Sequence, residues 1–255
     1  MVKKDRLDKL LVERGMVKSR ERARALIMAG MVAVKGKKAD KPGIQVSGDA
    51  EVQLQAKDSP YVSRGGEKME GALEAFAIDP MGLIVMDVGA STGGFTDCIL
   101  QKGAKKVYAV DVGYGQLAWK LQKDPRVVSL ERRNIRYLQR EEVQDEIDLI
   151  LIDTSFISVE KFLPHLHGFL KKGGAILSLI KPQFEVGKGE VGKGGVVRDR
   201  AQYEKVLNRI SNFSRGLGFK VLGVTESPLR GHKGNREFFL YLKKENGKDG
   251  QTEGT

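Results

Sequence analysis

The strongest constraint in this chain lies between residues 83 and 95. An apolar segment, 83–86, runs directly into Asp87-Val88-Gly89-Ala90-Ser91-Thr92-Gly93-Gly94-Phe95. Short apolar runs bounded by turn residues read as buried strands. A glycine-rich turn straight after such a strand is where a parallel α/β sheet places its ligand, at the strand's carboxyl end. Similar segments recur at 107–110, 149–152, 175–180, 220–224 and 238–242. Between most of them lie helical stretches such as 199–216, where Tyr203, Val206, Leu207, Ile210 and Phe213 recur at helical spacing. The alternation predicts an α/β, doubly wound domain.

The turn also limits the ligand. Its spacing is not G-x-G-x-x-G and it carries no lysine for phosphates, so a dinucleotide is a poor fit. Asp111 ends the next strand, where a carboxylate can accept both hydroxyls of a ribose. An adenosyl ligand without phosphates suits such an acidic site. The competing reading, glycines serving only a tight strand-to-helix turn, is weakened by this second carboxylate. A second glycine motif, Gly187-Lys188-Gly189-Glu190-Val191-Gly192-Lys193, fits G-x-x-x-x-G-K, but Gly194 follows where a magnesium-binding Ser or Thr is needed. It reads as a mobile basic loop beside the site.

Upstream, the chain changes character. Residues 1–60 hold fourteen basic and eight acidic side chains, more than half of the net charge of +11 in under a quarter of the length. Asp5 is placed to cap a helix carrying Leu7, Leu10 and Leu11, with Asp8 at its third position; Ser19 is placed to cap a second carrying Ala23, Leu26 and Ile27. Strands are expected at 31–34 and 51–54, with Lys35-Gly36-Lys37 as a turn. The expected layout is a small α+β domain over 1–60, a larger domain over 61–243 and a disordered tail over 244–255. Solvated helix faces explain most charge runs, yet a basic domain of this size also suits a polyanion.

Residues after the strand at 149–152 bear on chemistry. They read Asp153-Thr154-Ser155-Phe156 and lack the two prolines that usually accompany methylation of an exocyclic amine. Cys98, the only cysteine, lies inside the helix after the glycine turn instead of where a ring-carbon nucleophile would sit. Oxygen methylation of a ribose needs a base for a weakly acidic hydroxyl, a carboxylate to orient that base and a cation for the forming alkoxide. Lys181 and Asp153 follow two strand ends, Lys68 lies in the helix before the first strand, and Glu237 opens the last strand. Taken singly, Lys68 or Glu237 is more often a solvated charge; only the set of four argues otherwise.

The pattern Asp-x-Gly-x-x-x-Gly-Gly followed by a strand-end Asp resembles the S-adenosylmethionine motif of class I (Rossmann-like) methyltransferases, and Lys68, Asp153, Lys181 and Glu237 match the Lys-Asp-Lys-Glu tetrad of FtsJ-like ribose 2′-O-methyltransferases. The N-terminal helix-helix-sheet order resembles the small S-four RNA-binding fold. Together with the strings Val62-Ser63-Arg64-Gly65-Gly66 and Lys181-Pro182-Gln183-Phe184-Glu185, the whole resembles the TlyA family over about residues 4–243. The resemblance implies an rRNA (cytidine-2′-O)-methyltransferase acting chiefly on large-subunit rRNA, with some members of the family also modifying small-subunit rRNA, S-adenosyl-L-methionine as cofactor, and ribosomal RNA or a ribosomal subunit as partner. It implies cofactor contacts from Asp87, Gly89, Ser91, Gly93, Gly94, Phe95, Asp111 and Asn134, the last through its amide oxygen. It implies RNA contacts from Arg6, Arg20, Arg22, Arg24, Lys35, Lys37, Lys38 and Arg64, and no metal. Lys181 would be the base, oriented by Asp153.

Two rivals remain open at this stage. Members of the family have been called haemolysins, but no apolar run approaches the ~20 residues a membrane span needs; a reducing cytoplasm is expected. The other rival is a non-catalytic RNA-binding assembly factor, against which the intact tetrad argues. His165 and His167, two apart on a helix, point to different sides and do not suggest a metal site. His232 reads as a phosphate contact or a plain loop residue, and Tyr114 and Trp119 are expected to pack near the cofactor turn.

Overall fold

The computed structural model describes residues 4–17, 19–28, 30–54, 59–187, 191–192 and 194–245, with the His232 side chain also outside the description. Most of the basic loop at 188–193 and all of 246–255 therefore lie outside the described residues. The chain divides into two compact units, 1–60 and 61–255.

The first unit contains β1 (Lys4–Arg6), α1 (Leu7–Glu13), α2 (Arg20–Met28), β2 (Val32–Val34), β3 (Lys37–Ala39), β4 (Gln45–Ser47) and β5 (Val52–Leu54). β1 and β4 form one antiparallel pair, and β3-β2-β5 form a three-stranded sheet. Leu7, Leu10, Leu11, Ala23 and Ile27 from the helices close over Val32, Ala39 and Val46. Ser19 caps α2 as expected, its hydroxyl accepting from the Arg22 amide at 3.2 Å. The expected Asp5 cap is corrected: Asp5 lies in β1, and α1 starts after Arg6 with no side-chain cap. The first helical amides bond instead to the backbone carbonyls of Ile44 and Pro42, so the helix needs no capping side chain. Asp8 turns inward, fully buried, and accepts from Arg6 at 3.0 Å and Arg20 at 3.1 Å. Those two arginines hold its carboxyl down at about 2.

The second unit is built on seven strands: β6 (Ile84–Val88), β7 (Lys106–Asp111), β8 (Val127–Glu131), β9 (Ile147–Ile152), β10 (Leu170–Ile180), β11 (Phe219–Glu226) and β12 (Phe238–Lys244). Their order is β11-β12-β10-β9-β6-β7-β8, with the five from β10 to β8 parallel and β12 antiparallel to both neighbours. Strand alternation loads both faces. Val85, Leu149, Leu151 and Leu177 meet α3 (Arg64–Ala75) and α4 (Gly94–Gln101). Met86, Ile150, Ile152 and Ile176 meet α6 (Leu163–Leu166) and α8 (Arg200–Gly216). Two short helices, α5 (Trp119–Gln122) and α7 (Pro182–Glu185), complete the set of labelled helices.

Three expectations change here. β8 was not anticipated, because Val127-Val128-Ser129-Leu130-Glu131 is an edge strand with no fully buried residue. Lys244 belongs to β12, not to a tail. Tyr114 and Trp119, expected to pack near the cofactor turn, are each 70% exposed. Leu117 and Leu121 take that space: a Cβ built on Gly93 would lie 2.8 and 2.3 Å from them.

The chain leaves β6 toward β7 and β8, then crosses back to place β9 on the other side. The reversal opens a crevice at the carboxyl ends of β6 and β9. There the Asp153 amide donates to the Val88 carbonyl at 2.9 Å.

Candidate active site

Asp87, Gly89 and Gly93 shape the turn from β6 to α4. Gly89 has φ +86°, and a Cβ there would lie 2.8 Å from the Asp153 carbonyl oxygen; Gly93 caps α4 at φ +90°. Both conformations favour glycine. Asp87 is fully buried, and its Oδ2 accepts from the Thr96 amide at 3.1 Å and the Thr96 hydroxyl at 2.7 Å, which pins the start of α4. Its Oδ1 has no partner among the described residues. Burial, with Asp153 and Asp111 nearby, pushes this carboxyl up to about 7.

Asp111, at the end of β7, accepts from the Ser91 amide at 2.8 Å and the Gly113 amide at 2.7 Å, tying the two turns together. Ser91, Asp111 and Asn134 line one cleft of about 440 Å³. Asn134 uses its amide oxygen to cap a short turn, accepting from the Arg136 amide at 3.1 Å. An amide oxygen has two lone pairs, and this bond takes up one of them. Gly94 opens α4 and, with Phe95, lines a second opening beside Asp87; the buried Phe95 ring also lies 6.0 Å from that of Phe239.

The tetrad assembles from four elements. Lys181 follows β10, and its Nζ lies 2.6 Å from Asp153 Oδ1 and donates to the Ser155 hydroxyl at 2.9 Å. Lys68 on α3 lies 2.6 Å from Glu237 Oε2, across 169 positions of sequence. The four charges therefore form two ion pairs, and all four line one cavity of about 510 Å³. Burial pushes the Asp153 carboxyl up, opposed by Lys181 and Lys68. Asp153 also lines the openings on the Asp87 and Asp111 sides, so it joins the tetrad cavity to both.

Sequence reasoning missed Phe156 and Phe184. Their rings lie 4.7 Å apart and line the tetrad cavity. Phe156 is 87% exposed at φ +66°, a strained backbone for a bulky residue. Only the residue types were visible in the sequence; exposure and backbone angle were not. Gly231 was missed too: a Cβ there would lie 1.9 Å from Glu237 Oε1.

Of the expected RNA contacts, Arg24, Lys35, Lys37 and Lys38 are exposed and Arg22 is half-buried. Arg6 and Arg20 are about half exposed but committed to Asp8. Arg64 donates to the Arg230 carbonyl at 3.2 Å beside the Asp87 opening.

The residues at the switch point suit a cationic adenosyl ligand: an unpaired buried carboxylate oxygen, a turn with no room for side chains at Gly89 and Gly93, and a strand-end carboxylate for a ribose. With the strand order, they define an S-adenosylmethionine-dependent methyltransferase of Rossmann-like fold. More narrowly, the chain belongs to the FtsJ-like methyltransferase family, which matches residues 61–244, and carries an S4 domain matching residues 5–52. It is 48% identical to the 16S/23S rRNA (cytidine-2′-O)-methyltransferase TlyA of Mycobacterium tuberculosis, over 95% of this chain and 91% of that protein. It is 42% identical to Hemolysin A of Brachyspira hyodysenteriae, over 93% and 99% of the two chains. A solved structure from Streptococcus thermophilus, also under a hemolysin name, superposes at a TM-score of 0.76 with 43% identity, covering 96% of this chain and 90% of that one. Among the described residues no helix is long and apolar enough to cross a membrane.

Proposed function

We propose that this chain methylates the ribose 2′-oxygen of a cytidine in ribosomal RNA, chiefly large-subunit rRNA, in the cytoplasm. The observation that carries the reading is the pairing of Lys181 with Asp153 and of Lys68 with Glu237 in one cavity that opens onto the cofactor cleft at Asp153.

S-adenosylmethionine supplies an electrophilic methyl group on a sulfonium; this chain supplies the rest. Lys181 is placed to take the 2′-hydroxyl proton on Nζ as the oxygen attacks. Asp153 and Ser155 fix the direction of that Nζ, and a positioned base of this kind contributes roughly 10²–10⁴-fold. Lys68, held by Glu237, places a second positive charge beside the oxygen as its charge grows. The Phe156–Phe184 pair offers the base a stacking surface within the same cavity. Exposed cations of the first unit, Arg24, Lys35, Lys37 and Lys38, suit phosphate contacts that place the enzyme without reading sequence. Asp87 is the residue suited to the cationic end of the cofactor, and Asp111 to its ribose.

The test is incubation with methyl-labelled S-adenosylmethionine and either free rRNA or purified subunits, followed by mapping of ribose methylation. Label on a large-subunit cytidine 2′-oxygen is expected. Cofactor binding with no label on any RNA would contradict the reading and favour a non-catalytic assembly role.

A further inference from the structure

Four aromatic side chains among the described residues are largely exposed, and all four lie in segments that follow the carboxyl ends of β7, β8 and β9. Phe156 belongs to the tetrad cavity. Tyr114, Trp119 and Tyr137 do not line it; they follow β7 and β8 and are 70%, 70% and 67% exposed. Each carries a cation over its ring. Arg132 lies 4.2 Å from the Tyr114 centroid, Lys123 lies 4.5 Å from that of Trp119, and Arg136 lies 5.2 Å from that of Tyr137.

Their neighbours behave differently. Arg126 and Arg133 are paired with Asp124 and Glu142, whereas Lys123, Arg132 and Arg136 have no carboxylate partner among the described residues. The loops are also joined to one another and to the cofactor turn. The Arg132 amide donates to the Gly113 carbonyl at 3.0 Å, Gly115 to Glu131 Oε1 at 3.0 Å, and Ala118 to the Thr92 carbonyl at 3.2 Å.

We propose that this edge is a binding track for single-stranded RNA flanking the methylated nucleotide, with bases stacking on Tyr114, Trp119 and Tyr137 and the three cations reaching phosphates. The proposal rests on the rRNA methylation reading and deepens it. Isolated rings, each under a charge without an acid partner, suit a strand of alternating π-faces and phosphates. They suit an apolar protein surface poorly, because the charges would have to be stripped of water against it.

Trp119 is the only tryptophan of the chain, so its emission reports this edge alone. The experiment titrates the full-length protein with fluorescein-labelled oligocytidylate, following probe anisotropy and tryptophan emission together, at several salt concentrations. Quenching that saturates with the anisotropy is expected. Trp119→Ala with Tyr137→Ala should weaken RNA binding roughly tenfold and raise KM for RNA, with kcat and cofactor affinity unchanged. Arg132→Glu with Arg136→Glu should flatten the salt dependence by more than one unit of log–log slope.

Anisotropy changing without quenching, with the variants binding as the parent does, would overturn the track while leaving rRNA methylation intact. Variants that lose binding only to assembled subunits and not to free RNA would also overturn it, in favour of a protein contact. Failure to bind or methylate any RNA would instead remove the functional reading beneath it.

Discussion

The two units each bury an aspartate completely, and they treat it in opposite ways. In the N-terminal unit Asp8 is met by Arg6 and Arg20, and its carboxyl sits near 2. In the catalytic unit Asp87 receives only Thr96 among the described residues, which leaves one oxygen without a partner there, and is raised to about 7. A buried polar group left unsatisfied costs stability, so a fold that keeps one is holding it for something else. Asp8 closes a structural network; Asp87 faces the crevice where the cofactor belongs. The tetrad is an intermediate case, its charges paired with each other yet left lining an open cavity.

If that contrast is right, the largest effect belongs to the cavity. Lys181→Ala should lower methyl transfer by about three orders of magnitude while leaving cofactor affinity and thermal stability near those of the parent, as measured by label incorporation, calorimetry and melting. Next comes the unpaired oxygen. Asp87→Asn removes the charge but keeps the shape, and should weaken S-adenosylmethionine binding roughly 10–100-fold, again by calorimetry, with no loss of stability at neutral pH. Asp8→Ala should do the reverse, costing about 1–2 kcal/mol of stability by denaturant titration, allowing for solvent around the two arginines, with cofactor affinity unchanged.

The most discriminating effect is the pH dependence of melting. Asp8 is depressed from an unfolded value near 4, so its contribution is full above about pH 4 and is lost as pH falls toward 2. Asp87 is raised, so the folded catalytic unit holds a proton the unfolded chain releases. Stability from that site therefore falls as pH rises from about 4 to 7. Asp87→Asn should remove the second trend and leave the first.

The sequence made legible those parts whose physics is local or strongly periodic. Strands buried on both faces, such as β6 and β9, announce themselves as unbroken apolar runs, and the glycine turn is written in residue types. The half-exposed edge strand β8 and the three-residue strands β1 and β4 carry no such run. Ser19 was readable as a cap because it acts on its own helix; α1 was misread because its first amides are met by Ile44 and Pro42, more than thirty positions away. Among the candidate site residues, the tetrad was recognisable as a set with Asp153 beside Lys181, but the ion pair of Lys68 with Glu237, 169 positions apart, was not. The aromatic pair at Phe156 depends on a backbone angle and an exposure that no residue type encodes.

The most direct measurement combines two assays on the same preparations of the parent, Lys181→Ala and Asp87→Asn: calorimetric affinity for S-adenosylmethionine, and methyl transfer to ribosomal RNA at saturating cofactor. The account predicts a crossing pattern, with Lys181→Ala binding cofactor normally but transferring almost nothing, and Asp87→Asn binding weakly but recovering much of its transfer once saturated. Retained transfer in Lys181→Ala, or cofactor affinity untouched in Asp87→Asn, would contradict it.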